Sequence, residues 1–97
     1  MYEIEFSDEA LEDLKWFKKR EQNEILDGIE ANLRYEPAVV TRNRDRLRPN
    51  ETAEWKLRIR KYRVYYDIDE DVYVVMIVAI GLKIGNTVYF RGEARAL

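Results

Sequence analysis

The stretch Trp55-Lys56-Leu57-Arg58-Ile59-Arg60-Lys61-Tyr62-Arg63-Val64-Tyr65-Tyr66-Asp67-Ile68 decides the fold. Trp55, Leu57 and Ile59 alternate with Lys56, Arg58 and Arg60, the period of a strand with one face in a core. A tight turn near Lys61 then sends the alternation back through Tyr62 to Ile68, so the segment reads as a β-hairpin. Side chains two apart share a face, which puts Lys56, Arg58 and Arg60 together on the face away from the core. A short turn also brings Arg63 beside them.

Downstream, Asp69-Glu70-Asp71 marks another turn. Val72 to Ile80 holds no polar residue and reads as a central strand covered on both faces. Gly81 breaks it, Gly85-Asn86 turns the chain, and Thr87-Val88-Tyr89-Phe90 is a short strand by its β-branched and aromatic content. Upstream, residues 38 to 53 show no period and read as a loop carrying Arg42, Arg44, Arg46 and Arg48 at every second position.

Before that loop the period is helical. Ile25, Ile29 and Leu33, with Leu26 beside them, form one stripe, and Pro37 ends it. Ala10, Leu14 and Phe17, with Leu11, form another, capped by Ser7 and led by Asp8 and Glu9 at the positive end of the helix dipole. Lys18-Lys19-Arg20 separates the two. Tyr2, Ile4 and Phe6 alternate with Glu3 and Glu5 as an opening strand. The order predicts an α+β fold: an N-terminal strand, then a two-helix hairpin packed on a small antiparallel sheet.

Ninety-seven residues suit one domain, 1–97. The chain has no cysteine and no histidine, which excludes disulfides, thiolate or imidazole metal sites and a histidine general base. Catalysis would fall to Lys, Arg, Tyr or carboxylates. No apolar run is long enough to span a bilayer, and the acidic opening is unlike a signal peptide, so a cytoplasmic location without membrane contact is expected.

The net charge of −2 conceals a segregation. Residues 42–63 carry nine bases and three acids, whereas residues 1–41 carry five bases and eleven acids. A band of that sign faces an anionic partner, since phosphate binding scales with the cations presented. The same cations could instead keep an edge strand soluble, and the arginines of 42–48 could belong to a solvated tether.

The frame Tyr2 to Ser7 opening into Ala10-Leu11-Glu12-Asp13-Leu14, the phrase Arg46-Leu47-Arg48, the hairpin from Trp55 to Ile68, its acidic turn and Val78-Ala79-Ile80-Gly81 together resemble the RelE/ParE superfamily of bacterial toxins. The likeness covers nearly the whole chain and is most specific in the hairpin. It implies a type II toxin with a cognate antitoxin, in a possible toxin–antitoxin hetero-oligomer. The RelE-like branch cleaves messenger RNA on the ribosome and the ParE-like branch poisons DNA gyrase. The first is favoured for this chain, and an inactive antitoxin-binding module is a third possibility.

By the same resemblance, Lys56, Arg58, Arg63, Lys83 and Tyr89 are the candidate catalytic residues. Arg42, Arg44, Arg46, Arg48 and Arg60 are candidates for holding RNA phosphates. No metal or other cofactor is implied. Arginine stays protonated, so Lys56 is the preferred general base. Trp16 lies off the Ala10-Leu14-Phe17 stripe and is a candidate contact for the antitoxin.

Overall fold

In the computed structural model, which describes residues 1–95, the alternating segments form the hairpin that their period predicts. Strand β3 (Trp55–Ile59) pairs antiparallel with β4 (Tyr62–Asp69), and β4 pairs with β5 (Val74–Ile84). Strand β2 (Arg44–Arg46) lies outside β3, while β6 (Thr87–Phe90) and β7 (Glu93–Ala94) extend the sheet from the far end of β5. The opening strand β1 (Glu3–Phe6) also pairs with β5 and is parallel to it; the other pairs are antiparallel. Positions 96 and 97 of the expected 1–97 domain lie outside the described residues.

Helix α1 (Asp8–Trp16) starts where Ser7 accepts a hydrogen bond from the Ala10 amide at 3.0 Å. Helix α2 (Lys19–Leu33) follows after Phe17 and Lys18 alone. It ends at Leu33, ahead of Pro37, so the proline does not terminate it. One sheet face packs on the helices: Trp55, Leu57, Tyr62, Val64, Tyr66, Val75, Ile77 and Ile80 meet Ala10, Leu14, Phe17, Ile25, Ile29 and Leu33 in one core. Each fully buried aliphatic side chain there contributes about 1.5–3 kcal/mol. Leu11, expected on the α1 stripe, points to solvent instead. Gly28 brings α2 against the sheet, because a Cβ there would lie 2.5–2.9 Å from three side-chain atoms of Ile59. No helix of the described residues is long and apolar enough to cross a membrane.

Three further expectations are corrected. Residues 38–53 are not wholly loop, since Arg44–Arg46 makes the edge strand β2. Gly81 does not break β5, which runs on to Ile84; it sits opposite Arg63, where a Cβ would come within 2.6 Å of Val88. Nor is the run from Val72 to Ile80 a strand covered on both faces: Val72 and Tyr73 are exposed turn residues ahead of β5. Val75 and Ile77 face the helical core, whereas Val74 and Met76 are only half-buried on the other face. A bulge explains how the strand continues. Tyr65 pairs with Ala79 and Tyr66 with Ile77, leaving Val78 extra, so core positions shift from 75 and 77 to 80 and 82.

The bulge falls in a gap along β5. There β1 covers residues 74–77 and β6 covers 82–84, so the backbone between them lacks a strand partner on that side. Helix α1 fills the gap: Ser7 Oγ donates to the Val78 carbonyl at 3.0 Å, and Asp13 Oδ2 accepts from the Ile80 amide at 2.9 Å. The other Asp13 oxygen lies 3.3 Å from Arg91 Nε without hydrogen-bond alignment.

Burial raises the Asp13 carboxyl above its ordinary 3.8, opposed by the Ile80 amide and Arg91. The folded state therefore holds this proton more tightly than the unfolded one, and Asp13 costs stability as pH rises through its folded value. Asp13→Ala should lose about 1–3 kcal/mol by orphaning the buried Ile80 amide. Asp13→Asn should retain that bond and abolish this residue's pH dependence. Urea unfolding of the three proteins across the acidic range checks both expectations; an Ala variant as stable as the parent would contradict the first.

Candidate functional site

Because cross-strand neighbours share a face, the register arranges the open side of the sheet in two rows. Arg58 on β3 lies opposite Arg63 on β4, which lies opposite Gly81 on β5. One step along, Lys56 lies opposite Tyr65, and Tyr65 opposite Ala79. The small residues on β5 leave room for Val88 and Phe90 of β6, whose strand bounds the far side. The result is a cleft of about 600 Å³ lined by Lys56, Arg58, Arg63, Tyr65, Lys83 and Arg95, with Leu47, Asn86, Thr87, Val88 and Ala94 completing its wall. Among the described residues, five cations line it and no carboxylate does. Among the described residues, no carboxylate is within ion-pair distance of Lys56, Arg58, Arg63 or Lys83.

Arg63 is the fixed member. Only 7% exposed, it donates through Nη1 to the carbonyls of Arg60 at 2.8 Å and Tyr62 at 2.9 Å. Its other guanidinium nitrogens have no protein acceptor among the described residues. Burial, reinforced by the Arg58 charge opposite, pulls Arg63 below the ordinary arginine value. It remains a cation near neutral pH. The turn supplying the Arg60 carbonyl is held to α2: Arg60 pairs with Glu24 at 3.2 Å, Lys61 with Glu21 at 3.7 Å, and the Tyr62 hydroxyl donates to Glu21 at 3.0 Å. Burial and Glu21 together push the Tyr62 phenol up to about 12.

Tyr65 and Arg95 were not among the residues expected from the sequence. Tyr65 packs against Phe90 at 5.6 Å between ring centroids, and its hydroxyl makes no hydrogen bond within the described residues. Burial raises its phenol above the ordinary 10.0, opposed by Arg63 and Arg95, so it is protonated at neutral pH and able to donate. Its spacing of two from Arg63 was a readable signal. Arg95 has none, because the β6–β7 hairpin that brings it back is too short to show a period. Its guanidinium lies 4.0 Å from the Phe90 ring centroid, a cation–π contact, and 3.5 Å from Glu9.

Of the expected catalytic set, Lys56, Arg58, Arg63 and Lys83 meet in the cleft. Tyr89 does not. It pairs with Leu82, one position off the Lys83–Val88 pair, and so takes the opposite face of the sheet. Arg60 also leaves the row expected for it. It lies in the turn with φ 53 and reaches Glu24, because β3 ends at Ile59.

The expected phosphate arm divides by role. Arg44 is structural, donating to the carbonyls of Asn32 at 2.5 Å and Val39 at 3.0 Å. Arg46 stacks over Trp55 at 5.3 Å and pairs with Glu54 at 3.8 Å. Arg42 lines a separate groove, and Arg48 lines neither space. Trp16 is 49% exposed and meets Phe17 edge-on. No group of three or more His, Cys, Asp or Glu able to hold a metal occurs among the described residues.

Solved structures share this architecture. The chain is 24% identical to the RelBE2 toxin-antitoxin complex from Mycobacterium tuberculosis, with a TM-score of 0.73 over 84% of this chain and 98% of that one. Against the intact E. coli RelBE toxin-antitoxin complex the values are 20% identity, a TM-score of 0.66, and 88% and 100% coverage. Against the YoeB-YefM complex from Staphylococcus aureus they are 23%, 0.64, and 87% and 99%. At these identities the likeness is one of fold. No curated protein sequence matches the chain. The family model described as ParE toxin of type II toxin-antitoxin system, parDE, matches residues 4–82, most of the chain, and with the two-helix hairpin on its sheet this protein belongs to that toxin family, within the RelE/ParE superfamily.

Proposed function

We propose that the cleft binds the backbone of messenger RNA on the ribosome and cleaves it, so that the toxin stops translation. The observation carrying this reading is the convergence of Lys56, Arg58, Arg63, Lys83 and Arg95 around Tyr65, with no lining carboxylate among the described residues. In the reaction the ribose 2′-oxygen forms a bond to the adjacent phosphorus as the bond to the 5′-oxygen breaks, leaving a 2′,3′-cyclic phosphate and a 5′-hydroxyl. Lys56 takes the 2′-hydroxyl proton. Arg63 and Arg58 stabilise the doubly charged phosphorane, and Tyr65 gives its proton to the departing oxygen.

The test is induced expression of the chain alone, with message cleavage and plasmid supercoiling followed in the same cells. Cleavage within codons supports the ribonuclease. Trapped gyrase on DNA would replace it with the second reading, which the family match to ParE toxins favours. Unchanged growth and intact messages would leave an antitoxin-binding module.

In each reading the chain pairs with an antitoxin in a hetero-oligomer, and several relatives of this fold were solved as such complexes. A segment neutralising the toxin is expected to cover the cationic cleft and the exposed indole of Trp16. Amide exchange should then slow in residues 54–66 and around Trp16 on complex formation. Unchanged exchange at both would show that the antitoxin binds elsewhere.

A further inference from the structure

The cleft does not end at Arg58. That side chain also lines a second groove, of about 440 Å³, with Asn32, Arg42, Asn43, Ile59 and Arg60. We infer that this groove continues the track of the bound RNA strand, taking the nucleotides on one side of the scissile phosphate; the inference rests on the ribonucleic-acid reading of the cleft.

The two spaces meet at Arg58, at the edge of the sheet: Asn32 of α2 and Ile59, whose side chain belongs to the helical core, bound the second groove on the helix side. Gly81, Arg63 and Arg58 are successive cross-strand partners, and the Arg58 amide donates to the Asn43 carbonyl at 2.7 Å, so Asn43 lies one strand further out. Three inter-strand steps span roughly 14 Å. A stacked strand advances about 3.4 Å per phosphate, so the track accommodates several nucleotides. Among the described residues its lining charges are all cations, of which Arg60 is paired with Glu24 and Arg95 with Glu9. No carboxylate lines the second groove, and Arg42 has none within ion-pair distance among the described residues.

The groove is also built in advance. Arg44 ties its loop to the α2 end through Asn32 and Val39, and the Thr41 hydroxyl accepts from the amides of Asn43 at 3.2 Å and Arg44 at 3.1 Å. Arg42 and Asn43 are thereby held beside Arg58. Guanidinium planes stack on unpaired bases, and asparagine amides can meet base edges, so the groove suits a single strand better than a duplex.

The experiment measures binding of labelled oligouridylates of two and of eight nucleotides to the full chain over a range of salt, for the parent and for Arg42→Ala. Arg42 is exposed and outside the regular elements, so its removal leaves the fold alone. The eight-nucleotide strand should bind the variant roughly tenfold more weakly, the equivalent of one charge-assisted hydrogen bond. Its salt slope should fall by about 0.7, one phosphate contact on a single strand. Binding of the two-nucleotide probe, confined to the cleft, should not change. Equal loss for both lengths, or no loss for either, overturns the second groove while the cleft reading stands. Failure of both probes to bind the parent overturns the two together.

Discussion

Arg63→Ala is expected to lower cleavage of ribosome-bound message by about 10² to 10³, the loss usual when one preorganised donor to a developing anion is removed. The effect should fall on the rate, because this side chain is already in place before substrate arrives. Two main-chain carbonyls hold one guanidinium nitrogen, and the remaining donors are left for the phosphate. The fold should survive, since removing Arg63 also removes the charge facing Arg58. Arg63→Lys separates position from charge. An ammonium keeps the cation but cannot fork between the carbonyls and a phosphate, so most of the loss should persist. Single-turnover cleavage, with circular dichroism to verify folding, decides it. A parental rate in Arg63→Ala would place the phosphate elsewhere in the cleft.

Much of this site could be read from period alone. Alternation from Trp55 to Ile68 determines which side chains share a face, and the face with Lys56, Arg58 and Arg63 was visible without coordinates. Tyr65 obeys the same parity and could have been placed there. Reading failed where period carries no information. Arg60 looks like the next member of the alternation, but the turn begins there and turns its side chain to Glu24. In the apolar run from Val72 to Ile80, every residue suits either face, so the bulge at Val78 leaves no trace. Without that bulge Ala79 would face the helices and the floor under the cations would be filled by Ile80. Arg44-Asp45-Arg46 reads as loop because an edge strand of three polar residues shows no apolar alternation. Its pairing comes from backbone bonds and from Arg44 reaching across to Asn32.

Lys56→Arg is expected to bind ribosomes nearly as well as the parent and to cleave about 10² to 10⁴ more slowly, the range over which general base catalysis contributes. Binding survives because phosphate attraction depends on charge, which the substitution keeps. Cleavage fails because an arginine does not give up its proton and cannot accept one from the 2′-hydroxyl. The register supplies a partner for this role: Lys56 lies directly opposite Tyr65, so a base and an acid are a single cross-strand pair apart, on the face that carries Arg58 and Arg63. Burial keeps Tyr65 protonated, which suits it to the leaving oxygen and leaves Lys56 as the member able to start the reaction. Tyr65→Phe should consequently slow cleavage of a normal message and have much less effect on a substrate whose leaving oxygen is replaced by sulfur, which departs without a proton. Lys56→Arg should slow both substrates alike. Equal single-turnover rates for Lys56→Arg and the parent would remove the base from Lys56 and leave Lys83, across the cleft, as the remaining amine to test.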